Sequence, residues 1–458
     1  MSTTDTRTAR RPSANAPRHT PPGLPARKLA VDLIGAILAK GRTLDDALAW
    51  ATGHAAYGSL PTNDRGLARL IAATVMRRLG QLDAIIDTFI DRPLPANSGS
   101  LRPILYAAAA QLVFLGIAPH AVINLAVEQT RSDPRARRFD RLTNAVLRRV
   151  SERGLEIAAT QDAVRLNIPD WLWESWTAAY GEPLTRAIAE ASLREAPLDI
   201  TAKSDAQHWA QQLEGLVLPT GSIRRENTGR VEDLPGFAEG AWWVQDAAAA
   251  LPVKLLGNVA GLQVADLCAA PGGKTCELAA AGAHVTSVDI SAQRLRRLRE
   301  NLSRLNLEAE IIEADVATWQ PDKLFDAVVL DAPCLATGTI RRHPDILRLK
   351  RAKDVERLAQ LQARLLSHAA ELVRPGGLLV YCTCSLEPEE GHLQVDRLLA
   401  DHAGFERVPV TAAEIDGEPD WITSQGDLRT LPSHLPMETP ELSGMDGFFA
   451  ARLRRKTG

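Results

Sequence analysis

The sequence is short of cysteine, and what it has lacks the patterns that build disulfide frameworks or metal sites. Five cysteines occur in 458 residues, all between Cys268 and Cys384. An odd, clustered set argues against a disulfide framework and for a reducing compartment. There is no paired CxxC and no histidine cluster at ligand spacing, so no metal is expected. No apolar run reaches the ~20 residues a membrane span needs, so no membrane association is expected. The N-terminal stretch lacks the apolar core of a secretory signal, which predicts a cytoplasmic protein. Neither GxGxxG nor a phosphate loop at its required spacing is present, leaving NAD and ATP poorly supported. Net charge is only −3, so any nucleic-acid binding must rest on local charge.

What is present is ordinary globular composition, 45% hydrophobic and 24% charged, over a length that predicts roughly two or three domains. Residues 1–28 carry Arg7, Arg10, Arg11, Arg18, Arg27 and Lys28 against one acid, Asp5, with prolines at 12, 17, 21, 22 and 25. The prolines spoil an amphipathic helix, so a disordered basic arm is expected. Residues 29–154 repeat apolar positions at three-to-four spacing, as in Leu29, Leu33, Ile34 and Ile37, and predict an all-α bundle. Its last stretch, 131–153, holds eight arginines against Asp133, Asp140 and Glu152. On a helix this makes a basic face, and Arg137, Arg138, Arg141, Arg148 and Arg149 are candidate RNA contacts. Residues 155–246 mix a helix start at Pro169-Asp170-Trp171, a strand at Leu198-Asp199-Ile200 and turn-rich segments, and predict a small α+β connecting subdomain.

From Ala247 to the end, strand and helix patterns alternate. Strands are expected at Gln263–Leu267, His284–Ile290, Glu310–Val316, Phe325–Leu330, Leu378–Tyr381 and Phe448–Leu453. That rhythm predicts a mostly parallel doubly wound sheet with helices on both faces. Ligands of such sheets bind beyond the carboxyl ends of the strands, near the switch point. After the first strand comes a glycine-containing turn, Cys268-Ala269-Ala270-Pro271-Gly272-Gly273-Lys274, where backbone can approach a ligand and a helix N-terminus follows. Asp266 lies at the end of that strand. Asp289 ends the next strand 23 residues later, near the offset at which an acid reaches ribose hydroxyls. Asp315 ends the third and is placed to reach adenine. Acids without a phosphate cradle suit an adenosine cofactor lacking phosphates, and S-adenosylmethionine fits that description.

Cys334, in Asp331-Ala332-Pro333-Cys334, and Cys384, in Thr383-Cys384-Ser385, stand 50 residues apart at the tips of two apolar runs. A buried cysteine is commonly just a small hydrophobe. Two thiols at strand ends beside a nucleotide-type turn point instead to covalent catalysis on a base. Alternation along the strand also puts Cys382 on the face that Cys384 occupies.

These motifs, with Gly338-Thr339-Ile340-Arg341-Arg342-His343-Pro344-Asp345, Met445-Asp446-Gly447-Phe448-Phe449 and Val244-Gln245-Asp246, resemble the RNA (cytosine-5)-methyltransferases of the RsmB/Sun type. Residues 29–150 resemble the all-α antitermination factor NusB. The resemblance implies a NusB-like RNA-binding domain and a Rossmann-like class I methyltransferase domain over residues 247–458. It implies a monomer acting on RNA, with 16S rRNA as substrate and S-adenosylmethionine as cofactor. By resemblance, Cys384 would attack cytosine C6, Cys334 would assist release, and Asp331 would bond the polar edge of the base. Cys268 to Lys274, with Asp289, Asp315 and Asp331, would hold the cofactor, Lys274 having the alternative of facing the base. Arg341 and Arg342 join the candidate RNA contacts. The chain departs from the family pattern at Leu335, where a small residue is usual, and at Ile200-Thr201-Ala202-Lys203, where a Leu-Arg-x-Asn run is usual. Two other readings remain open at this point. One keeps the chemistry on tRNA or another RNA; the other is a non-catalytic RNA-binding or antitermination-type protein.

Overall fold

The computed structural model describes residues 21–95, 97–226 and 229–457. Within them, one compact unit comprises residues 21–40, 44–75 and 82–157, and a second comprises 41–43, 76–81 and 158–457.

The first unit is built from helices Leu24–Lys40, Leu44–Thr52, Ala55–Gly58, Leu101–Val113 and Pro119–Ser132, with most of Thr62–Asp87 and of Asp140–Thr160. Leu29, Leu33, Ile34 and Ile37 are buried, the stripe that their spacing predicts. The first helix starts at Leu24, inside the stretch expected to be an arm. Leu24, Ala26 and Leu29 are apolar and find cover there, and Arg27 donates from Nε to Gln111 Oε1 at 2.7 Å. The rest of that arm, residues 1–20, lies outside the described residues. The expected boundary at residue 154 falls within the helix Asp140–Thr160, which runs through it without a break.

In the second unit, helices Ala163–Asn167, Asp170–Tyr180 and Glu182–Ser192 precede a small antiparallel sheet. Its strands are β1 (Leu198–Ala202), β2 (Leu216–Val217), β3 (Ile223–Arg225) and β4 (Trp242–Val244), in the order β2-β3-β1-β4. Leu198, Ile200, Ile223 and Trp242 form its core. This α+β region and the following α/β region belong to one compact unit, against the separate domains expected on either side of residue 246. Hydrogen bonds from a buried ion pair of the small sheet cross between the two regions. Arg224 makes two 2.7 Å hydrogen bonds to Asp199, and it also donates to the Leu442 carbonyl at 2.8 Å. Asp199 in turn accepts from the Ala247 N–H.

The large sheet has eight strands: β5 (Gln263–Leu267), β6 (His284–Asp289), β7 (Glu310–Glu313), β8 (Phe325–Asp331), β9 (Val373–Thr383), β10 (Phe405–Arg407), β11 (Leu428–Thr430) and β12 (Phe448–Arg455). The order is β10-β12-β9-β8-β5-β6-β7, with β11 paired to β12. Strands β5 to β9 run parallel, and β12 enters antiparallel between β9 and β10. The central strands are apolar and buried on both faces, as parallel strands covered by helices must be. The helix Ala292–Leu305 shows how local sequence sets an element. Ser291 caps it by accepting from the Arg294 N–H, Asn306 ends it at φ 50°, and Leu295, Leu298, Leu302 and Leu305 form the buried stripe. Chain order reverses about β5, so the carboxyl ends of β5, β8 and β9 converge at the switch point.

Candidate active site

The turn after β5 is shaped by backbone. Cys268 sits at φ 60° and Gly272 at φ 107°, both in the left-handed region, and the helix Gly273–Ala280 starts directly after. The left-handed backbone at Gly272 favours glycine, and a Cβ added there would also press on the Leu298 side chain at 3.0 Å. Beneath the turn lies Asp266, fully buried. Its Oδ2 accepts from Thr275 Oγ1 at 2.6 Å, while Oδ1 has no partner among the described residues. Burial pushes its carboxyl up to about 7.

Asp289 ends β6 as expected. Its Oδ2 accepts the Ala270 N–H at 3.2 Å, and its Oδ1 accepts from Ser291 N–H and Arg294 at 2.8 and 2.9 Å. It therefore fixes the cofactor turn directly, and the half-exposed Arg294 lies across it. Asp315 is exposed two positions beyond β7, which stops at Glu313 rather than continuing to Val316. Asp331 ends β8, partly exposed, and Lys274 Nζ donates to its Oδ2 at 2.8 Å. Burial pulls the Lys274 ammonium down, but Asp331, Cys382 and Asp266 together outweigh that and hold it above its ordinary value. The Lys274 Nζ also stands 4.9 Å from the centre of the Phe448 ring.

Past Asp331, the Cys334 and Cys384 sulfurs lie 3.5 Å apart, both partly exposed. The hydrogen bond shared with Cys384, together with burial, pushes the Cys334 thiol well up. Cys382 is fully buried with its Sγ 3.8 Å from Asp331 Oδ1, and Cys268 lies in the cofactor turn; burial pushes both thiols up. Cys276 is buried in the helix Gly273–Ala280.

Residues the sequence reading did not single out hold the two cysteines in place. Glu390 and Glu387 are fully buried behind them. Glu390 accepts the Leu335 N–H and Gln362 Nε2; Glu387 accepts from Thr337, Ser385 and Trp176. Burial raises both carboxyls, that of Glu390 to about 7. The available signal was the acid-rich run Glu387-Pro388-Glu389-Glu390 directly after Thr-Cys-Ser. The cavity next to this loop, about 370 Å³ by its water-accessible space, is lined by Tyr180, His392, Arg429 and Phe449 among others.

Three further motifs converge on the loop after Cys334. The Gly447 N–H bonds the Gly338 carbonyl at 2.9 Å, and a Cβ on Gly338 would lie 1.9 Å from the Gly447 carbonyl oxygen. Asp246 Oδ1 accepts from the N–H of Ala248 and of Asp446. Arg341, expected at a phosphate, instead points inward. Its side chain is 2% exposed, 3.6 Å from Asp246, and it donates to the Ser443 carbonyl. A side chain so enclosed has no surface to offer RNA. Arg342 is 38% exposed and pairs with Asp446. In the helical unit, Arg137, Arg138, Arg141, Arg148 and Arg149 are all exposed, opposite the buried Val146, Leu147 and Val150.

The donor set suits S-adenosylmethionine. Carboxylates stand at or just past successive strand ends, and a backbone turn replaces a phosphate cradle. Among the described residues no helix is long and apolar enough to cross a membrane, and no group of three or more His, Cys, Asp or Glu could hold a metal.

Comparison with known proteins places the chain in a family. The family described as 16S rRNA methyltransferase RsmB/F matches residues 254–454, and the NusB family matches residues 24–152. Ribosomal RNA small subunit methyltransferase B of Salmonella arizonae is 34% identical over 94% of this chain and 98% of its own length. The protein of that name from Vibrio cholerae is 34% identical over 94% of this chain and 97% of its own. Among solved structures, PH0851 superposes with a TM-score of 0.74 at 22% identity, covering 95% of this chain and all of that one. A methyltransferase homologue from Pyrococcus horikoshii gives 0.53 at 27% identity, over 64% of this chain and 97% of its own. The chain belongs to the ribosomal RNA small subunit methyltransferase B family, a family of S-adenosylmethionine-dependent RNA methyltransferases that joins a NusB-type helical region to a Rossmann-like sheet.

Proposed function

We propose that this protein methylates C5 of a cytosine in 16S rRNA through a transient bond between Cys384 and cytosine C6. The observation that carries the reading is the pair of thiols 3.5 Å apart at the ends of neighbouring strands, with Asp331 and Lys274 beside them. Cytosine C5 is a poor nucleophile. Addition of the Cys384 thiolate at C6 makes the C5–C6 edge enamine-like, which splits one difficult substitution into two easier steps. Addition also pushes electron density onto the pyrimidine ring. Asp331 accepts from the exocyclic amino group, and the Lys274 ammonium next to it stabilises that charge in a largely water-free position. S-adenosylmethionine, when bound, supplies an electrophilic methyl sulfonium. Cys268 to Lys274, Asp289, Asp315 and Asp331 are the residues that would hold it. For the ribose to meet Asp289, Arg294 must swing into solvent. Release then requires that a solvent base take up the C5 proton. Its electron pair restores the C5–C6 double bond and expels the Cys384 sulfur, and Cys334 assists this elimination from 3.5 Å away.

The target base must leave its stack to enter the site, because the chemistry needs the ring edge open. Arg137, Arg138, Arg141, Arg148, Arg149 and Arg342 remain as the phosphate contacts. The test is direct. Cys384→Ala is expected to reduce methyl transfer to 16S rRNA to background, and Cys334→Ala to accumulate enzyme covalently bound to RNA on a denaturing gel. Full activity in the Cys384 variant would end this reading. Bisulfite sequencing of a deletion strain should lose a 16S rRNA signal; loss confined to tRNA would change the substrate.

A further inference from the structure

The two cysteine loops do not hold themselves together. Cys334 follows β8 in a turn that includes Ala336 at φ 61°, and its neighbours on both sides are gripped from elsewhere. Gln362 Nε2, from the helix Lys353–Glu371, donates to the Pro333 carbonyl at 2.9 Å and to Glu390 Oε1 at 2.9 Å. Glu390 takes the Leu335 N–H with both carboxylate oxygens, at 3.2 and 3.1 Å. The main chain of Glu390 reaches the other cysteine. Its carbonyl accepts from Thr383 Oγ1 at 3.2 Å, immediately before Cys384, and from Tyr381 Oη at 2.8 Å. Glu387 reinforces the link by accepting from Ser385 Oγ at 2.7 Å and from the Thr337 hydroxyl. A main-chain bond from Gly338 N–H to the Cys384 carbonyl, 3.0 Å, completes it.

We infer that Glu390 is a positioning residue for product release: it sets the Cys334 turn at its working distance from Cys384 without touching the base. The inference rests on the proposed roles of the two thiols. Its physical basis is that one residue binds both loops, by side chain to one and by main chain to the other. Attack at C6 needs Cys384 alone, which directly follows β9, whose last residue Thr383 pairs with Phe449 of β12. Elimination needs Cys334 in register with the adduct, and that register passes through the Leu335 N–H. Loss of the carboxylate should therefore fall on release and spare attack.

The test measures two rates and one species in Glu390→Ala, Glu390→Gln and Cys334→Ala, using the full chain and 16S rRNA transcript. Single-turnover methyl transfer by Glu390→Ala should stay within about threefold of the parent. Its multiple-turnover rate should fall roughly tenfold to a hundredfold, the scale for a small misplacement of a reacting group. Covalent RNA adduct should accumulate on a denaturing gel, as in Cys334→Ala. Glu390→Gln, which keeps one oxygen for the Leu335 N–H, should recover most of the turnover. If Glu390→Ala does not fold, Glu390→Gln carries the same readouts, with a smaller accumulation of adduct expected. Adduct in Cys334→Ala but none in either Glu390 variant overturns the inference. So does an equal loss of single- and multiple-turnover rates, the mark of a purely structural role. Normal release by Cys334→Ala instead overturns the reading of the thiols beneath it.

Discussion

The cofactor turn and the cysteine loops occupy the same end of the same sheet, yet they are specified in opposite ways. The turn after β5 is local. Its shape comes from Cys268 and Gly272 in left-handed backbone, from the Gly273–Ala280 helix start, and from Asp289 reaching one main-chain N–H. The loops around Cys334 and Cys384 are non-local, tied by side chains 28 and 55 residues apart along the chain, as in Gln362–Glu390 and Leu335–Glu390. Each region rests on a buried acid raised to about 7, Asp266 under the turn and Glu390 behind the loops. Asp266 binds one hydroxyl, whereas Glu390 binds main chain of the opposite loop. The turn is shaped largely by its own backbone, whereas the two cysteine loops are braced by buried side chains from elsewhere in the chain.

Substitutions should separate the two regions. The largest effect is expected from Asp266→Asn, on stability and not on the thiols. Asp266 titrates near 7 in the folded chain against an ordinary value of 3.8, so the native state keeps a proton that the unfolded chain releases. The resulting penalty is absent below about pH 3.8, grows as pH rises, and is complete above about pH 7, reaching on the order of a few kcal/mol. Asparagine cannot ionise, so the melting temperature of the variant relative to the parent should rise between about pH 4 and pH 7 and level off above. A difference that stays flat with pH would remove Asp266 as a buried acid. Next in size is Gly272→Ala. Left-handed backbone costs an L-residue roughly 1–2 kcal/mol, and the new Cβ also presses on Leu298. S-adenosylmethionine binding measured by calorimetry should weaken about tenfold, while the two thiols, titrated with a thiol reagent in the free protein, keep their parent reactivity. The smallest change is expected for Arg294→Ala. Its pairing with Asp289 is half exposed and worth about 0.2–1 kcal/mol, so freeing the carboxylate should tighten cofactor binding by roughly fivefold at most. Weaker binding would show that Arg294 contacts the cofactor instead of covering its place.

Much of this architecture was legible from the residues alone because it is periodic or local. The helical stripes, the strand–helix alternation, the glycine turn and the acids at strand ends each follow from a few neighbouring positions. The antiparallel entry of β12 between β9 and β10 was not legible, because a strand pattern does not state which edge it joins. Nor was the difference between Arg341 and Arg342. Adjacent arginines in a loop look alike in sequence, and only the buried Asp246 explains why one turns inward to 2% exposure while its neighbour keeps 38%. The acids Glu387 and Glu390 were visible but read as nothing, since their partners are set by the tertiary fold.

The bond between Gly447 and Gly338 has a consequence for how the molecule comes into being. Cys334 and Cys384 are both synthesised before β12, yet the loop behind Cys334 meets its main-chain partner only once Gly447 exists, and β9 gains its second neighbour only when Phe448–Arg455 has joined it. Pairings between positions so far apart in sequence form late. A growing chain therefore carries the two cysteine loops for some time without their full set of main-chain partners, and the last strand completes that set.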